Sequence, residues 1–326
     1  MPEWLVEKGI GETRAALVDG GHIVEARIEL DGMIPAGTIL EARLVDNGGG
    51  RNGVARDAGG TDYLLPHVPH EVTEGAKLNI EVTRPALPGP EPWKRPIAKA
   101  TRDERRRPKS LAERLQGTGH PVRKLAFPGA LDELGEAGWP DLIEDARGGE
   151  IAFTGGSLRI FPTPAMVLID VDGTLAPDKL SSAGASAAAE AVRRLDIGGS
   201  IGIDLPTLRG KAARDAAAKA IDSVLPQPFE RTAVNGFGFV QVVRPRSRAS
   251  LLELAQDRAA FEARAILRSV AFGEGGPKRL VAHPAIVAIL EQKAEWTDAL
   301  ARQIGGAVTL RADASVPMHG AHAEKA

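Results

Sequence analysis

Two aspartates follow apolar runs that are typical of β-strands. Asp170 follows the apolar residues 165–169, and Asp204 follows the apolar residues 200–203. One alanine-rich helical segment separates them, so the stretch has the composition and about the length of a β-α-β unit. The carboxyl ends of the two strands in such a unit lie at one edge of the sheet, where ligands of open α/β sheets bind. We therefore expect both carboxylates to emerge at the same edge.

A third carboxylate, Asp172, lies two residues beyond Asp170 and points to the same side if that strand continues. Neighbouring carboxylates do not all ionise cheaply without a cation, and Mg²⁺ commonly binds through one or two carboxylates and several waters. The group therefore predicts a site for Mg²⁺ or Mn²⁺. Such a site suits phosphodiester hydrolysis. The spacing alone leaves open that both aspartates merely end strands and cap helices.

The chain around these aspartates has the pattern of an α/β protein. Helical segments at residues 186–195 and 209–224 alternate with the two apolar runs, and a third β run covers residues 237–243. Apolar strands that alternate with helices predict a largely buried, mixed sheet. Phe237, at the start of the third run, is expected in the core.

The N-terminal part of the chain has a different, β-rich pattern. Residues 13–18 and 22–28 flank Asp19-Gly20-Gly21, and this turn chemistry predicts a hairpin. Five short β runs between residues 37 and 83 are separated by glycine turns. They predict a small inserted β-barrel such as an OB-fold, with an unspecialised β-meander as the alternative.

The composition limits the classes of function. A chain of 326 residues is long enough for two or three domains with their own cores. The absence of cysteine excludes disulfide scaffolds, Cys-ligated zinc sites and thiol nucleophiles. The net charge of −2 creates no basic field, so nucleic-acid binding has to come from local patches. No apolar run has the length of a membrane span, and no signal core is present near Met1, so we expect a cytoplasmic protein without a membrane partner.

Two basic segments are candidates for such patches. Residues 102–109 form the most basic stretch of the chain, which is typical either of a solvated linker or of a phosphate contact. Lys94 and Arg95, near the end of the predicted barrel, are candidates for contact with an RNA backbone.

Three further cations are predicted to lie near the aspartates. Arg244 and Arg246 follow the third β run, and Lys211 begins a helix soon after Asp204. We expect these side chains to form a phosphate-binding edge beside the aspartate pair, because clustered cations grip phosphate oxygens.

Residues 167–175, VLIDVDGTL, resemble the first motif of haloacid dehalogenase-type phosphatases. In that family the first Asp is the nucleophile and the second is the general acid. The family also carries a later acidic pair that completes its Mg²⁺ site, and no Asp-Asp or Gly-Asp-x-x-x-Asp string follows residue 175 at a strand end. This resemblance covers one motif.

A longer resemblance, to the ribonuclease E/G family of bacterial endoribonucleases, runs in order along most of the chain. The matching segments are residues 12–20 (the opening strand), 37–82 (the OB-fold module), 139–158 (before the first catalytic strand), 169–172 (IDVD, for the family's Ile-Asp-x-Asn), 195–204 (LDIGGSIGID, for Leu-Arg-Asp-Leu-Gly-Gly-x-Ile-x-Ile-Asp), 235–246 (NGFGFVQVVRPR, for Ser-x-Phe-Gly-Leu-x-Glu-x-x-Arg-x-Arg) and 281–284 (the start of the small C-terminal piece).

The resemblance implies Mg²⁺ ligands at Asp170 and Asp204 in an RNase H-like nuclease core, with Asp172 in the place of the supporting Asn. It implies metal-assisted hydrolysis of single-stranded RNA in RNA processing, ribosomal RNA processing included, or in RNA decay. Tyr63 is then the aromatic residue left to stack a base, because Ala55 and Leu64 stand where the family has aromatic residues.

Other departures from the family pattern concern the catalytic motif and the assembly. Gly236 replaces the arginine before Phe-Gly, and Gln241 replaces a glutamate. The 5′-end-sensing subdomain is missing, and the cysteines that link protomers through zinc are absent. The zinc-linked tetramer is therefore not expected, which leaves a homodimer as the assembly still open to the chain.

The combined prediction is a split α/β protein with an inserted barrel. Its parts are an N-terminal hairpin (1–35), an OB-fold RNA-binding module (36–100), a basic linker (101–126), a nuclease core (127–270) and a C-terminal helix-strand piece with a tail (271–326). The predicted function is that of a Mg²⁺-dependent endoribonuclease. The alternatives are a non-catalytic RNA-binding relative of the same family and a haloacid dehalogenase-type phosphatase.

Overall fold

A computed structural model describes residues 1–50, 52–88 and 94–325 of the chain. The strands in these residues form a mixed four-stranded sheet, a closed five-stranded barrel, a six-stranded sheet and a three-stranded sheet. Helices cover one face of the six-stranded sheet, so the fold is a mixed α/β fold, as the sequence pattern predicts. None of the helices in these residues combines the length and apolar character needed to cross a bilayer.

The N-terminal strands form an antiparallel meander. β1 (Glu3–Lys8) pairs with β2 (Glu12–Asp19), which pairs with β3 (His22–Leu30). Gly20 and Gly21 both have positive φ, which glycine adopts without a steric penalty, and they form the turn between β2 and β3. The predicted hairpin is confirmed, with one strand more than the sequence indicated.

The segment that follows is a closed barrel with the strand order β4-β5-β6-β8-β7. Its strands are β4 (Ile39–Asp46), β5 (Gly53–Asp57), β6 (Asp62–Leu65), β7 (Lys77–Arg84) and β8 (Ile97–Thr101). Alternate side chains of each strand fill the interior, where Leu44, Leu65 and Ile80 are fully buried. The barrel is therefore confirmed over the open meander.

Residues 101–126 are ordered structure, not the linker that their charge suggests. They contain α1 (Leu111–Leu115), which Ser110 and Glu113 cap reciprocally, and β9 (Val122–Leu125). β9 pairs in parallel with β1 and extends the N-terminal sheet. The arginines before α1 make this stretch polar, but the apolar side chains of α1 pack against β1 and β2.

The large sheet follows α2 (Glu133–Glu136) and α3 (Trp139–Gly148). It has the order β10-β11-β12-β13-β15-β14. Its elements in chain order are β10 (Glu150–Phe153), β11 (Gly156–Pro162), β12 (Val167–Gly173), α4 (Pro177–Arg194), β13 (Gly199–Asp204), α5 (Lys211–Val224), β14 (Glu230–Arg231) and β15 (Phe239–Arg244). β12 and β13 are parallel and the other neighbours are antiparallel, so the predicted mixed sheet is confirmed.

Helix α4 packs closely against the sheet because its contact face is built of small residues. Ala185, Ala188 and Ala189 are buried. A Cβ atom on Gly184 would lie 2.2 Å from Val171 Cγ1 of β12, so only glycine allows this approach without a shift. The helices thus fill one face of the sheet and leave the other face open.

The C-terminal part has its own core. It contains α6 (Leu251–Gln256), α7 (Arg258–Ala271), β16 (Lys278–Ala282), α8 (Pro284–Gln292), α9 (Ala294–Ile304), β17 (Val308–Ala312) and β18 (His322–Lys325). Leu267 of α7 and Leu280 of β16 share one hydrophobic cluster, so this unit begins near α7 and not at residue 271. The predicted tail ends in β18, which pairs with β16 through residue 325.

Candidate functional site

Asp170 and Asp204 are direct neighbours in the large sheet. They are paired in the parallel register of β12 and β13, where adjacent strands lie about 4.8 Å apart. Ile169 and Val171 enter the main core, so Asp170 points to the open face because side chains alternate along a strand. Asp204 likewise follows buried Ile203 and is exposed. The predicted meeting of the two carboxylates at one place is confirmed.

The two aspartates reach this position in different ways. Asp204 is the last residue of β13, as predicted. Asp170 does not end its strand, because β12 continues through Gly173. Asp172 therefore lies on the same open face as Asp170, one alternation further along. Its Oδ1 accepts a hydrogen bond from the backbone N–H of Gly173 at 2.8 Å.

A row of register-paired side chains crosses the open face through the aspartate pair, and it is polar as far as Asp204. Arg159 of β11 is the register partner of Asp170, and Phe239 of β15 is the register partner of Asp204. Arg159 Nε lies 3.5 Å from Oε1 of Glu150, its register partner on β10. The sequence analysis did not single out Arg159. The available signal was its position in an alternating segment, typical of a strand, just before the apolar run that precedes Asp170.

The side chains of Asp170 and Asp204 form no hydrogen bond or ion pair with any other described residue. Two adjacent carboxylates without partners suit a hydrated divalent cation, since Mg²⁺ takes one or two carboxylates and keeps several waters. A larger cluster is not present: no group of three or more His, Cys, Asp or Glu side chains in residues 1–50, 52–88 and 94–325 is arranged to hold a metal. Any ion here would rely on water and substrate for its remaining ligands.

The predicted arginine edge beside the aspartates is wrong. β15 runs antiparallel to β13, so Arg244 pairs with Gly199 at the opposite end of β13 from Asp204. Five residues of strand place it about 17 Å from that aspartate. Arg244 Nη1 instead donates to the carbonyl oxygens of Ile197 (2.8 Å) and Val192 (3.3 Å), and burial lowers its pKa.

Arg246 and Lys94 lie in the same distant region. Arg246 forms an ion pair with Glu253, which caps α6. Lys94 Nζ lies 3.5 Å from the carbonyl oxygen of Pro164 in the β11–β12 loop. Both line a cleft of about 100 Å³ at the start of β12 and β13. They therefore border the end of the sheet that is remote from the carboxylates.

The other predicted cations are on the surface. Arg95 lies 3.9 Å from Asp62 on the barrel. Lys211 is exposed at the first position of α5 and donates to Asp215, one turn further along, at 2.7 Å. The loop from Asp204 to Lys211 is short. Among the predicted cations, Lys211 is therefore the nearest to Asp204 along the chain.

Tyr63 is enclosed in the barrel and offers no ring face to a base. Its residue is 1% exposed, and its hydroxyl donates to Asp57 at 3.1 Å. Burial, with the Asp57 carboxylate second, raises the pKa of this hydroxyl. The expectation of a stacking surface at Tyr63 is wrong because β6 directs its alternate side chains into the barrel interior.

Phe237 is the aromatic residue that the sequence analysis misplaced in the core. It is 81% exposed, in the loop before β15. Asn235 Oδ1 accepts hydrogen bonds from the backbone N–H groups of Phe237 (2.9 Å) and Phe239 (3.1 Å). Gly238 has φ 97°, and a Cβ there would lie 2.1 Å from the carbonyl oxygen of Leu205. The loop is thus held against the residue that follows Asp204.

The sequence Asn235-Gly-Phe-Gly238 contained the signal for this loop. An aromatic residue between two glycines, after an asparagine, is typical of a turn tip and not of a strand interior. The open face therefore presents an arginine beside two carboxylates that lack partners among the described residues, and an exposed aromatic ring stands in the loop next to the end of β13. Such a set can bind a cation together with a phosphate and a flat ring.

No protein-family model matches this sequence, and no curated protein matches it either.

Proposed function

We propose that this protein is a Mg²⁺-dependent endoribonuclease that cleaves single-stranded RNA, as a short and divergent member of the ribonuclease E/G family. The observation that carries the proposal is the register pair of Asp170 and Asp204 on the open face of the large sheet. These are the two aspartates that the ordered family motifs select. The proposal includes an RNase H-like assignment for the core and an OB-type RNA-binding role for the barrel.

Asp170 and Asp204 would hold the ion, with Mn²⁺ as an alternative to Mg²⁺. When bound, a divalent ion between them would neutralise phosphate oxygens and assist attack on the phosphodiester. Arg159, beside Asp170, is placed to contact a phosphate oxygen of the same substrate. Phe237, beside Asp204, is placed to stack a base.

Asp172 distinguishes this chain from the family pattern, which has Asn at that position. The extra carboxylate lies on the same face as Asp170 and adds negative charge beside the expected path of the RNA backbone. It repels phosphate in the absence of a cation and favours binding of the cation. We therefore expect the carboxylates together to bind the ion more tightly than a single carboxylate would. RNA cleavage should depend on that bound ion.

The test is cleavage of a labelled, A/U-rich single-stranded RNA by the full chain in Mg²⁺ or in EDTA. We expect cleavage in Mg²⁺ only. Asp170→Asn and Asp204→Asn should each reduce the rate by about 100-fold or more, because a catalytic ion contributes several kcal/mol. Asp222→Asn is the matched control, since this aspartate pairs with Arg231 of the edge strand β14.

A non-catalytic RNA-binding relative is the second candidate. It is favoured by the distance of Arg244 and Arg246 from the aspartate pair, which leaves Arg159 as the cation beside it. This alternative predicts RNA binding that weakens with salt, no cleavage in either metal, and no effect of the two aspartate substitutions on structure. Cleavage by the wild type that survives both substitutions would contradict both candidates.

A haloacid dehalogenase-type phosphatase is the third candidate, carried by the string at residues 167–175 alone. It predicts Mg²⁺-dependent release of phosphate from small phosphate esters and a covalent aspartyl phosphate at Asp170. The same preparations tested with p-nitrophenyl phosphate separate it from a nuclease.

Assembly as a homodimer in the cytoplasm completes the proposal, and sedimentation equilibrium tests the assembly.

A further inference from the structure

Three arginines from distant parts of the chain line one cavity. The cavity has a volume of about 180 Å³ and lies between β3, α1 and the segment after β15. Arg27, Arg114 and Arg248 contribute their side chains to its wall, and apolar residues such as Met33 and Leu111 form much of the rest. Guanidinium groups that converge on a partly apolar cavity are unusual unless an anion offsets their repulsion.

The charges around this cavity do not balance. Each arginine that lines the cavity has one carboxylate partner, and one of these partners, Glu29, lines the cavity as well. The adjacent Arg193 and Arg244 share two of the three carboxylates, so five arginines and three carboxylates leave an excess of two positive charges. The contacts in which they are seen are Arg27–Glu25, Arg193–Glu25, Arg114–Glu29, Arg248–Asp196 and the Coulombic contact of Arg244 with Asp196. Burial raises the pKa of Asp196, and the charge of Arg248 opposes that rise.

The arginines that line the cavity keep donors available. Arg27 directs both Nε and Nη2 to a single oxygen of Glu25, at 3.0 and 2.5 Å. Arg248 lies 3.3 Å from Asp196, and its one hydrogen bond within the described residues is a 3.4 Å contact with Ser247 Oγ. Arg114 donates through Nη1 to the carbonyl oxygen of Lys109 and pairs through Nη2 with Glu29, so its Nε has no bond within the described residues. Burial and then the neighbouring Arg248 and Arg27 lower the pKa of Arg114 to about 10.

We propose that this cavity binds a phosphate-type oxyanion through Arg27, Arg114 and Arg248. A tetrahedral dianion directs its oxygens to several sides and carries two negative charges, so it can accept from guanidinium groups on three different elements and offset the excess positive charge. The cavity is small, so it takes inorganic phosphate or the phosphate of a monoester whose organic part stays outside. The site is separate from the aspartate pair and does not depend on the nuclease proposal.

Calorimetric titration of the full chain with inorganic phosphate tests the site, at constant ionic strength in KCl and without divalent metal. We expect one phosphate per chain for the wild type. Arg114→Gln and Arg248→Gln should each raise the Kd by about tenfold or more, because each removes a charge-assisted hydrogen bond. Arg231→Gln, which alters an arginine paired with Asp222 outside this cavity, should leave the Kd unchanged.

To allow for variants that fold poorly, the melting temperature of each protein is measured in phosphate and in chloride. The difference between the two values is then compared among the proteins. Wild type and Arg231→Gln should gain stability in phosphate, and Arg114→Gln and Arg248→Gln should lose most of that gain. Absence of saturable phosphate binding by the wild type, or equal binding by Arg114→Gln and Arg248→Gln, would overturn the proposal.

Titration with AMP and with adenosine identifies the source of the phosphate. Tighter binding of AMP than of inorganic phosphate, with no binding of adenosine, supports the site and assigns it to a phosphomonoester. Tighter binding of inorganic phosphate supports it and assigns it to the free ion. Equal binding of AMP and adenosine would show recognition of the nucleoside and would contradict an oxyanion site.

Discussion

Phe237 shows how a single residue changes the interpretation of the open face. Its ring is exposed, and the backbone of its loop is held by Asn235 and by the contact of Gly238 with Leu205, the residue after Asp204. Because the backbone is already ordered, a base that stacks on the ring costs mainly the side-chain entropy of one residue. At this position stacking would place a nucleotide next to the carboxylate pair.

We predict that Phe237→Ala raises the Kd for a short single-stranded RNA by about 5- to 150-fold, the equivalent of 1–3 kcal/mol for one stacked base. Phe237→Trp should keep wild-type affinity, because it keeps the flat ring. Binding is measured by fluorescence anisotropy in EDTA. Leu131→Ala, an exposed apolar residue before α2, is the control. Equal affinities for Phe237→Ala and the wild type would remove Phe237 from the RNA path.

At the scale of elements, a buried ionic network joins the N-terminal sheet to α7. Arg268 of α7 donates to Glu7 of β1 at 3.0 and 3.1 Å and to Asp132, before α2, at 2.9 Å. Arg14 of β2 donates to Glu7 at 2.8 Å and to Glu12 at 2.7 Å. Glu7, Arg14 and Arg268 are all buried, so the network depends on each partner.

Arg268→Met should lower the free energy of unfolding by about 3–5 kcal/mol, because it leaves Glu7 as a buried charge with one partner fewer. Urea denaturation measures the difference. Arg102→Met, at an exposed arginine that pairs with Glu71, should change it by less than about 0.5 kcal/mol. A loss no larger than that of the control would mean that Glu7 is solvated or protonated in the folded protein.

Asp132 gives the same network a pH dependence. Burial is the largest single influence and opposes ionisation of this carboxyl. The hydrogen bonds from Arg268 and from the backbone N–H of Gly135, with the charges of Arg268 and Arg14, together outweigh burial and lower its pKa below the usual 3.8. A carboxyl with a lowered pKa in the folded state stabilises the protein above its unfolded pKa, and this contribution is lost as the pH falls through the folded value.

We therefore expect Asp132→Asn to be less stable than the wild type at neutral pH, and the difference to shrink as the pH falls below about 3.8. Asparagine keeps one side-chain oxygen for the cap of α2 but replaces the other, which accepts from Arg268, with an NH2 donor, so the variant keeps the cap and loses the charge and that hydrogen bond. Urea titrations across that pH range measure it. A difference that stays constant down to the acid limit would assign the effect to packing.

At the scale of the whole molecule, the basic stretch at residues 102–109 is a surface of ion pairs. Arg105 pairs with Glu41 of the barrel, and Arg107 pairs with Glu113 of α1 at 2.7 Å. These contacts join residues 102–109, which leave the barrel, to the barrel itself on one side and to α1 on the other. Because the net charge is −2, the RNA binding that we propose would depend on local cations that lack such partners.

Arg105→Gln with Arg107→Gln should therefore leave the salt dependence of RNA binding nearly unchanged. We expect the slope of log K against log salt to stay within about 0.5 of the wild type, because each single-strand phosphate contact contributes about 0.7. Binding isotherms at several KCl concentrations measure the slope. A decrease of more than about one unit would instead assign the stretch to the RNA path.

The sequence by itself determined the local features of this protein. Alternation and glycine turns predicted the β2–β3 hairpin and the five-stranded barrel, and apolar runs separated by an alanine-rich helix predicted that Asp170 and Asp204 meet. These features follow from periodicity and from the parallel pairing of strands in a β-α-β unit, which neighbouring residues encode.

The tertiary structure decided where the remaining side chains lie. The antiparallel direction of β15 separates Arg244 from Asp204, and the closure of the barrel buries Tyr63. The pairing of β9 with β1 converts a charged stretch into part of a sheet. Strand direction, closure and pairing between distant segments depend on contacts across the whole chain, and the local pattern of charge and hydrophobicity is the same for either outcome.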